Sequence, residues 1–248
     1  MFSKHKPVVL LAIAMLAALL TWPVSAVDNW DQQSFLTASD PGPGDNLGAA
    51  VAIDGNTMVV GAPEQDIDPQ ASVGAAYVFE WDGSMWNQVA KLTQSSAGEA
   101  PGFDRFGIAV AIQNDVIYVG AQEFDPLLDD VSRPDTGGVY VFVKPSGGWT
   151  DATEDLVLLP DVPEDFAFFG RSIDIDGTRL VVGSPSYPQT PEGGGDPVNQ
   201  AGAVYVFEGS GVEWTQTAQL VRPTPSTGAY FGIDVDVLGD TLLIGAAD

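Results

Sequence analysis

Asp125, Asp129, Asp130 and Asp135 crowd into one stretch between two apolar runs. Carboxylates at such short spacing can wrap a calcium ion, which takes several oxygen ligands at once. Asp66 and Asp68 form a smaller acidic stretch. Glu192, Gly193, Gly194, Gly195 and Asp196 form a glycine-rich one. This last is not a phosphate cradle, because no helical pattern follows it and a P-loop's lysine is missing. Asp and Glu total 34 against 9 Lys and Arg, so acidic pairs are frequent anywhere in the chain. The plain reading of these loops is therefore solvated surface, with Asp125, Asp129, Asp130 and Asp135 as the candidate cation ligands. Asp174 and Asp234 differ, because each lies inside an apolar alternating run. We read both at the position held by Ala52 and Ala111 in two earlier runs. They are the candidate ligand residues, for a cation or a sugar.

The composition removes most other chemistry. The chain has 248 residues, no Cys, one His (His5) and a formal net charge of −25. A strongly negative chain repels phosphate backbones, so nucleic acid is not an expected partner. Lys4, His5 and Lys6 precede an apolar run from Val8 to Leu20, and Val24-Ser25-Ala26 supplies small residues for cleavage. That is the three-part pattern of a secretory signal peptide over 1–26. The run is too short for the roughly 20 residues of a membrane span, and no other run is long enough. Cleavage before Val27 leaves 7 basic and 34 acidic residues, a net charge of −27, with no His. Ser-His-Asp and Cys-His catalysis and His-ligated metals are then excluded. Carboxylate, hydroxyl and backbone chemistry remains.

The elements that position these carboxylates are repeated. Phe-Gly occurs at Phe106-Gly107, Phe169-Gly170 and Phe231-Gly232, with Leu47-Gly48 as a variant. Thirteen residues after each of these glycines stands another: Gly61, Gly120, Gly183 and Gly245. Three Tyr-Val-Phe triplets follow, at Tyr77, Tyr140 and Tyr205, each with a Trp nine residues on: Trp86, Trp149 and Trp214. The copies lie 59, 63 and 62 residues apart, a period that points to a propeller, solenoid or array. Each unit reads as four strands. In the first unit these are Ala49–Ile53, Met58–Gly61, Ala75–Trp81 and Trp86–Leu92, with period-two alternation of aromatic and β-branched residues. Tight turns such as Asp54-Gly55 join the first two strands. In the second unit Leu156 falls one residue late against this spacing. Four antiparallel strands per unit fit the blades of a β-propeller, and a stacked β-solenoid is the alternative. The repeated Trp, Phe and Tyr are expected in the core, since a ligand platform need not recur in every unit. The repeated Gly of Phe-Gly is expected where a side chain would clash or φ is positive.

The Phe-Gly and Gly-Ala-Pro markers, the latter at Gly61-Ala62-Pro63, resemble FG-GAP repeats, the blades of the integrin α-subunit propeller. The run Val51-Ala52-Ile53-Asp54-Gly55-Asn56-Thr57, leading to Gly-Ala-Pro and Tyr-Val-Phe, is most similar to a bacterial exported subfamily. The resemblance covers roughly Trp30 to Asp248. It implies an all-β, integrin α-like propeller of four-stranded antiparallel blades and a binding or adhesion role. The repeats divide as 47–105, 106–168, 169–230 and a partial 231–248, preceded by a segment 27–46. Many family blades carry a calcium loop between strands one and two. Here those connections are too short to wrap a cation, so the family's calcium sites are not carried over. No cofactor is required, and Ca2+ is left as an optional occupant of the acidic loops.

The repeats amount to about three and a half blades, an incomplete ring, and the reading frame is expected to continue past Asp248. The rival is a short arc that self-associates through open propeller edges. Trp30–Leu36 copies the spacing of Trp86–Leu92 and is expected to act as a clasp strand. The function expected is an exported, non-enzymatic scaffold that binds a protein or glycan on its loop surface. Its place is the periplasm, the cell surface or the medium. The alternatives are a carboxylate-dependent polysaccharide hydrolase or lyase on a propeller, or the propeller part of a larger surface enzyme.

Overall fold

The computed structural model describes residue 32 and residues 34–67, 72–95 and 103–247. Among these residues every regular element is a strand. Blade one is a meander of β1 (Ala50–Asp54), β2 (Thr57–Ala62), β3 (Ala75–Trp81) and β4 (Trp86–Leu92). Blade two is built from β5 (Phe106–Gln113), β6 (Val116–Ala121), β9 (Gly138–Val143) and the short β10 (Leu156–Leu158). Between β6 and β9 a separate hairpin is inserted, β7 (Leu127–Leu128) with β8 (Val131–Ser132). Blade three is β11 (Ser172–Asp176), β12 (Arg179–Ser184), β13 (Ala203–Ser210) and β14 (Glu213–Leu220). Of blade four, β15 (Val235–Leu238) and β16 (Thr241–Ile244) are present. The innermost strands β1, β5, β11 and β15 are neighbours in that order, which is the arrangement of propeller blades around an axis.

Turn chemistry fixes the inner hairpins. Asp54 pairs with Thr57, Gln113 with Val116, Asp176 with Arg179 and Leu238 with Thr241, so each connection is a two-residue turn. In blade two both turn residues, Asn114 and Asp115, are left-handed, as a type I′ turn requires. Turns this short leave no loop in which to wrap a cation.

The inner strands alternate between two neighbours. Val110 and Ile112 pack back onto blade one with Val59 and Val78, while Ala109 and Ala111 pack forward with Ile173 of blade three. Val235 and Val237 likewise pack back onto Val181 and Val204 of blade three. The Phe of each Phe-Gly plugs its own blade against the previous one. Phe106 meets the rings of Tyr140 and Phe142 edge-on at 5.2 and 6.0 Å, and Phe169 meets Tyr205 and Phe207 at 5.3 and 6.0 Å. Edge-to-face pairs of this kind add about 0.5–1.5 kcal/mol each beyond their burial. The three described Trp residues of the repeat join the same clusters: Trp86 with Tyr77 and Phe79, Trp149 with Tyr140 and Phe142, Trp214 with Tyr205 and Phe207.

Two readings of strand position are corrected. The strand-four leucine of the second repeat is Leu158, not Leu156. Leu158 pairs with Val139 as Leu92 pairs with Ala76, and extra residues after Trp149 push the strand later. Asp236, not Asp234, stands at the position of Ala52, Ala111 and Asp174. Asp236 pairs with Leu243 as Asp174 pairs with Val181 and Ala52 with Val59.

Of the expected clasp, Trp30, Asp31 and Gln33 lie outside the described residues, as does the signal peptide segment. The described end of it docks on blade one. Leu36 is buried with Tyr77 and Phe79, just as Leu92 is buried with Tyr140 and Phe142 one blade on. Three residues past each leucine the backbone is tied to the next blade. Ser39 N–H donates to Gln88 Oε1 at 2.8 Å, Ser95 N–H to Glu154 Oε2 at 2.8 Å, and Asp161 N–H to Gln216 Oε1 at 2.9 Å. Asp40 adds a contact to Lys91 Nζ at 2.6 Å and lies 2.8 Å from the Tyr77 hydroxyl. Residues 36–40 therefore sit where the strand four of a preceding blade would end.

Candidate functional site

The strand-one carboxylates line the axial recess. A cavity of about 460 Å³ is walled by Val51, Ala52, Ala111, Asp174, Asp234 and Asp236, among other strand-one residues. Asp174 is half-buried at the junction of blades three and four, and its Oδ2 accepts the Val237 N–H at 2.6 Å. Asp236 stands beside it on the neighbouring inner strand, and both line the recess. Burial pushes the Asp174 carboxyl above the usual carboxylate range, and the neighbouring Asp236 carboxyl pushes the same way. The amides of Val237 and Ile175 oppose the shift. Asp234, read from sequence as the second candidate, is an exposed wall residue of this recess, and the partner of Asp174 is Asp236, which sequence reading missed.

The acidic stretch of blade two does not converge. Asp129 and Asp130 form the turn of the β7–β8 hairpin, both left-handed and exposed. Asp125 and Asp135 come together at the base, where Asp125 Oδ1 accepts the Asp135 N–H at 2.6 Å. Burial raises the Asp135 carboxyl, and the charges of Asp125 and Glu123 raise it further. A carboxylate that the sequence did not single out lies beside them. Asp104 is buried at the junction of blades one and two, with Gln94 Nε2 donating to its Oδ2. Burial pushes Asp104 up to about 6, with Gln94 opposing and Asp125, Glu123 and Asp135 adding to the shift. Arg105 answers this negative field, with Nε 3.2 Å from Glu123 and 3.6 Å from Glu64. Among the described residues no group of three or more His, Cys, Asp or Glu is disposed to hold a metal ion.

The loop between β12 and β13 is closed at its base by Gln189 and Val198, whose amides and carbonyls exchange hydrogen bonds at 3.1 and 2.9 Å. Gly193, Gly194 and Gly195 lie at its exposed tip with nothing packed against them. Asp66, from the first acidic pair, accepts the Ser72 N–H at 2.9 Å, while Asp68 lies outside the described residues. Beside the β12–β13 loop a cleft of about 500 Å³ opens between blades three and four, lined by Phe166, Phe168, Ser186, Asn199, Gln200 and Thr227. Among the described residues no helix is long and apolar enough to cross a membrane.

The repeat that organises these loops matches a known family. The FG-GAP repeat family matches residues 30–79, 86–142, 153–207 and 214–248. Among solved structures, the periplasmic gluconolactonase PpgL of Pseudomonas aeruginosa is similar at 13% sequence identity, with a TM-score of 0.36. That similarity covers 80% of this chain, which spans 65% of the length of the gluconolactonase chain. No curated protein matches.

Proposed function

The chain belongs to the FG-GAP repeat family, and we propose that it is an exported, non-enzymatic scaffold that binds a protein or glycan through its loop surface at the cell surface or in the periplasm. One observation carries this reading. The side chains that recur from blade to blade are consumed in blade-to-blade packing: Phe106 and Phe169 in ring contacts, Trp86, Trp149 and Trp214 in the clusters. What varies between blades is the loops, from the β7–β8 hairpin of blade two to the glycine-tipped loop of blade three. Constant strands under variable loops are the design of a binding scaffold.

The hydrolase or lyase alternative has one observation in its favour, the Asp174–Asp236 pair in the axial recess. Retaining glycosidases hold their carboxyls about 5 Å apart and inverting ones further still, to admit a nucleophilic approach or a water. Asp174 instead spends one carboxyl oxygen on the Val237 amide at 2.6 Å, a structural tie across the junction of blades three and four, which favours the scaffold reading.

The test is a loop replacement. Residues 190–198 are exchanged for a Gly-Ser segment of equal length, and the β7–β8 hairpin is exchanged likewise in a second variant. Retention is then measured on surfaces coated with polysaccharide or with purified matrix protein. The reading expects at least one variant to lose retention while its melting temperature holds. Full retention by both overturns the assignment of binding to these loops.

A further inference from the structure

Each blade junction contains a residue, four before the glycine of the Phe-Gly marker, whose backbone is left-handed. In blades one and four it is Gly44 (φ 96°) and Gly228 (φ 78°). In blades two and three it is Phe103 (φ 75°) and Phe166 (φ 60°). A bulky aromatic residue at such a φ is strained, and glycine is the residue that fits without cost. Burial does not compensate for the strain, because Phe103 is 58% exposed and Phe166 57% exposed. The backbone alone makes the junction contact, with Phe166 N–H donating to the Pro134 carbonyl of blade two at 2.8 Å. The fold therefore uses the backbone of this position and leaves the Phe166 ring in solvent.

The ring is not isolated. Phe166 forms one wall of the cleft of about 500 Å³ between blades three and four. Phe168 and Pro188 add apolar wall, and the rest offers neutral hydrogen-bonding groups: the amides of Asn199 and Gln200 and the hydroxyls of Ser186 and Thr227. The single charged wall residue, Asp165, is held by Arg133 Nε at 2.7 Å, and Arg133 also donates to the Pro163 carbonyl at 2.7 Å. No lysine or arginine lines the cleft, and the chain's net negative charge disfavours an anionic ligand. A flat apolar ring face beside amides, hydroxyls and one acceptor carboxylate matches the two-sided chemistry of a pyranose. Such a sugar carries C–H groups on one face and hydroxyls around its rim.

We infer that the cleft between blades three and four binds a neutral oligosaccharide, with Phe166 as its stacking platform and Asn199, Gln200, Ser186, Thr227 and Asp165 as its hydrogen-bonding rim. This rests on the scaffold reading and names the ligand class of its loop surface.

The full protein is titrated calorimetrically with cellohexaose, xylohexaose, mannohexaose and maltohexaose, and each mixture is then checked for cleaved product. Phe166→Gly is the decisive variant, because glycine is what blades one and four use there. Expected is millimolar or tighter binding of at least one hexasaccharide, weakened at least tenfold in Phe166→Gly, with a melting temperature unchanged or raised. A second variant, Gln200→Ala, is expected to weaken binding without changing the protein's fold by circular dichroism. The inference is overturned if none of the four sugars binds, or if Phe166→Gly binds as the wild type does. It is likewise overturned if Phe166→Gly melts lower, since the ring would then be structural. Cleavage of the bound sugar would instead overturn the non-enzymatic reading and leave the site in place.

Discussion

Gly61 of blade one lies so close to Gly107 of blade two that a Cβ on Gly61 would stand 1.9 Å from the Gly107 carbonyl oxygen. The same approach recurs at Gly120 with Gly170 and at Gly183 with Gly232, both at 2.0 Å. Gly107, Gly170 and Gly232 also have φ between 88° and 96°. The glycine of each of these Phe-Gly markers thus rests on the next-to-last residue, a glycine, of strand two of the blade before it. The two markers that define the repeat are the two halves of one inter-blade contact.

Gly120→Ala is expected to destabilise the protein by about 3 kcal/mol or more, because the clash is with backbone and no rotamer relieves it. Gly147→Ala meets nothing within 4 Å and is expected to stay within about 0.5 kcal/mol of wild type. Urea unfolding of the two variants checks the contrast.

The corrected strand four of blade two makes a second prediction. Leu158 is buried, and Leu156 is only partly so. Leu158→Ala is expected to cost about 3 kcal/mol and Leu156→Ala clearly less. Equal losses would restore Leu156 as the repeat leucine.

Asp104 links stability to pH. Its carboxyl is raised from 3.8 to about 6 in the folded protein, chiefly by burial. The folded state therefore holds this proton more tightly than the unfolded chain does. Its ionisation opposes folding above about pH 6, and that penalty fades as the pH falls towards 4. A shift of this size corresponds to roughly 3 kcal/mol at neutral pH. Asp104→Asn keeps an acceptor for Gln94 and is expected to be more stable than wild type at pH 7. The gap should close near pH 4, as read from urea midpoints at both values. No gap at pH 7 would remove the assignment.

Asp174 obeys the same sign. Its carboxyl is raised by burial and by Asp236, so its charge opposes folding at neutral pH. Asp174→Asn retains an acceptor for the Val237 amide and is expected to stabilise the protein at pH 7 by up to about 1 kcal/mol. The gain is expected to vanish as acid protonates the wild-type group. Thermal melts at pH 7 and pH 4 read it.

The strands were legible because period-two alternation and repeated markers reinforce one another. β3 and β4 run over the residues expected from sequence, Ala75–Trp81 and Trp86–Leu92. Blade two was misread where extra residues follow Trp149, since spacing from Trp no longer fixes the register and only pairing with Val139 does. Asp236 was passed over for Asp234 because both belong to the run Ile233–Leu238, and the face is decided by register with Leu243. Asp104 looked like one acidic residue among many, and its burial beside Gln94 is set by the junction of two blades rather than by local sequence. Asp129 and Asp130 separated from Asp125 and Asp135 because an extra hairpin formed inside the loop. Phe166 was not singled out by the sequence, since exposure and left-handed backbone are invisible in composition.

The central claim is binding without turnover, and the most direct measurement reads both at once. The full protein is incubated with insoluble and soluble polysaccharides, and the bound fraction and the released saccharide ends are quantified together. The account expects retention on at least one polysaccharide with no product above a protein-free control, and the same retention in Asp174→Asn. Product that accumulates over many turnovers and disappears in Asp174→Asn would contradict it and make the axial carboxylate pair the active site of an enzyme.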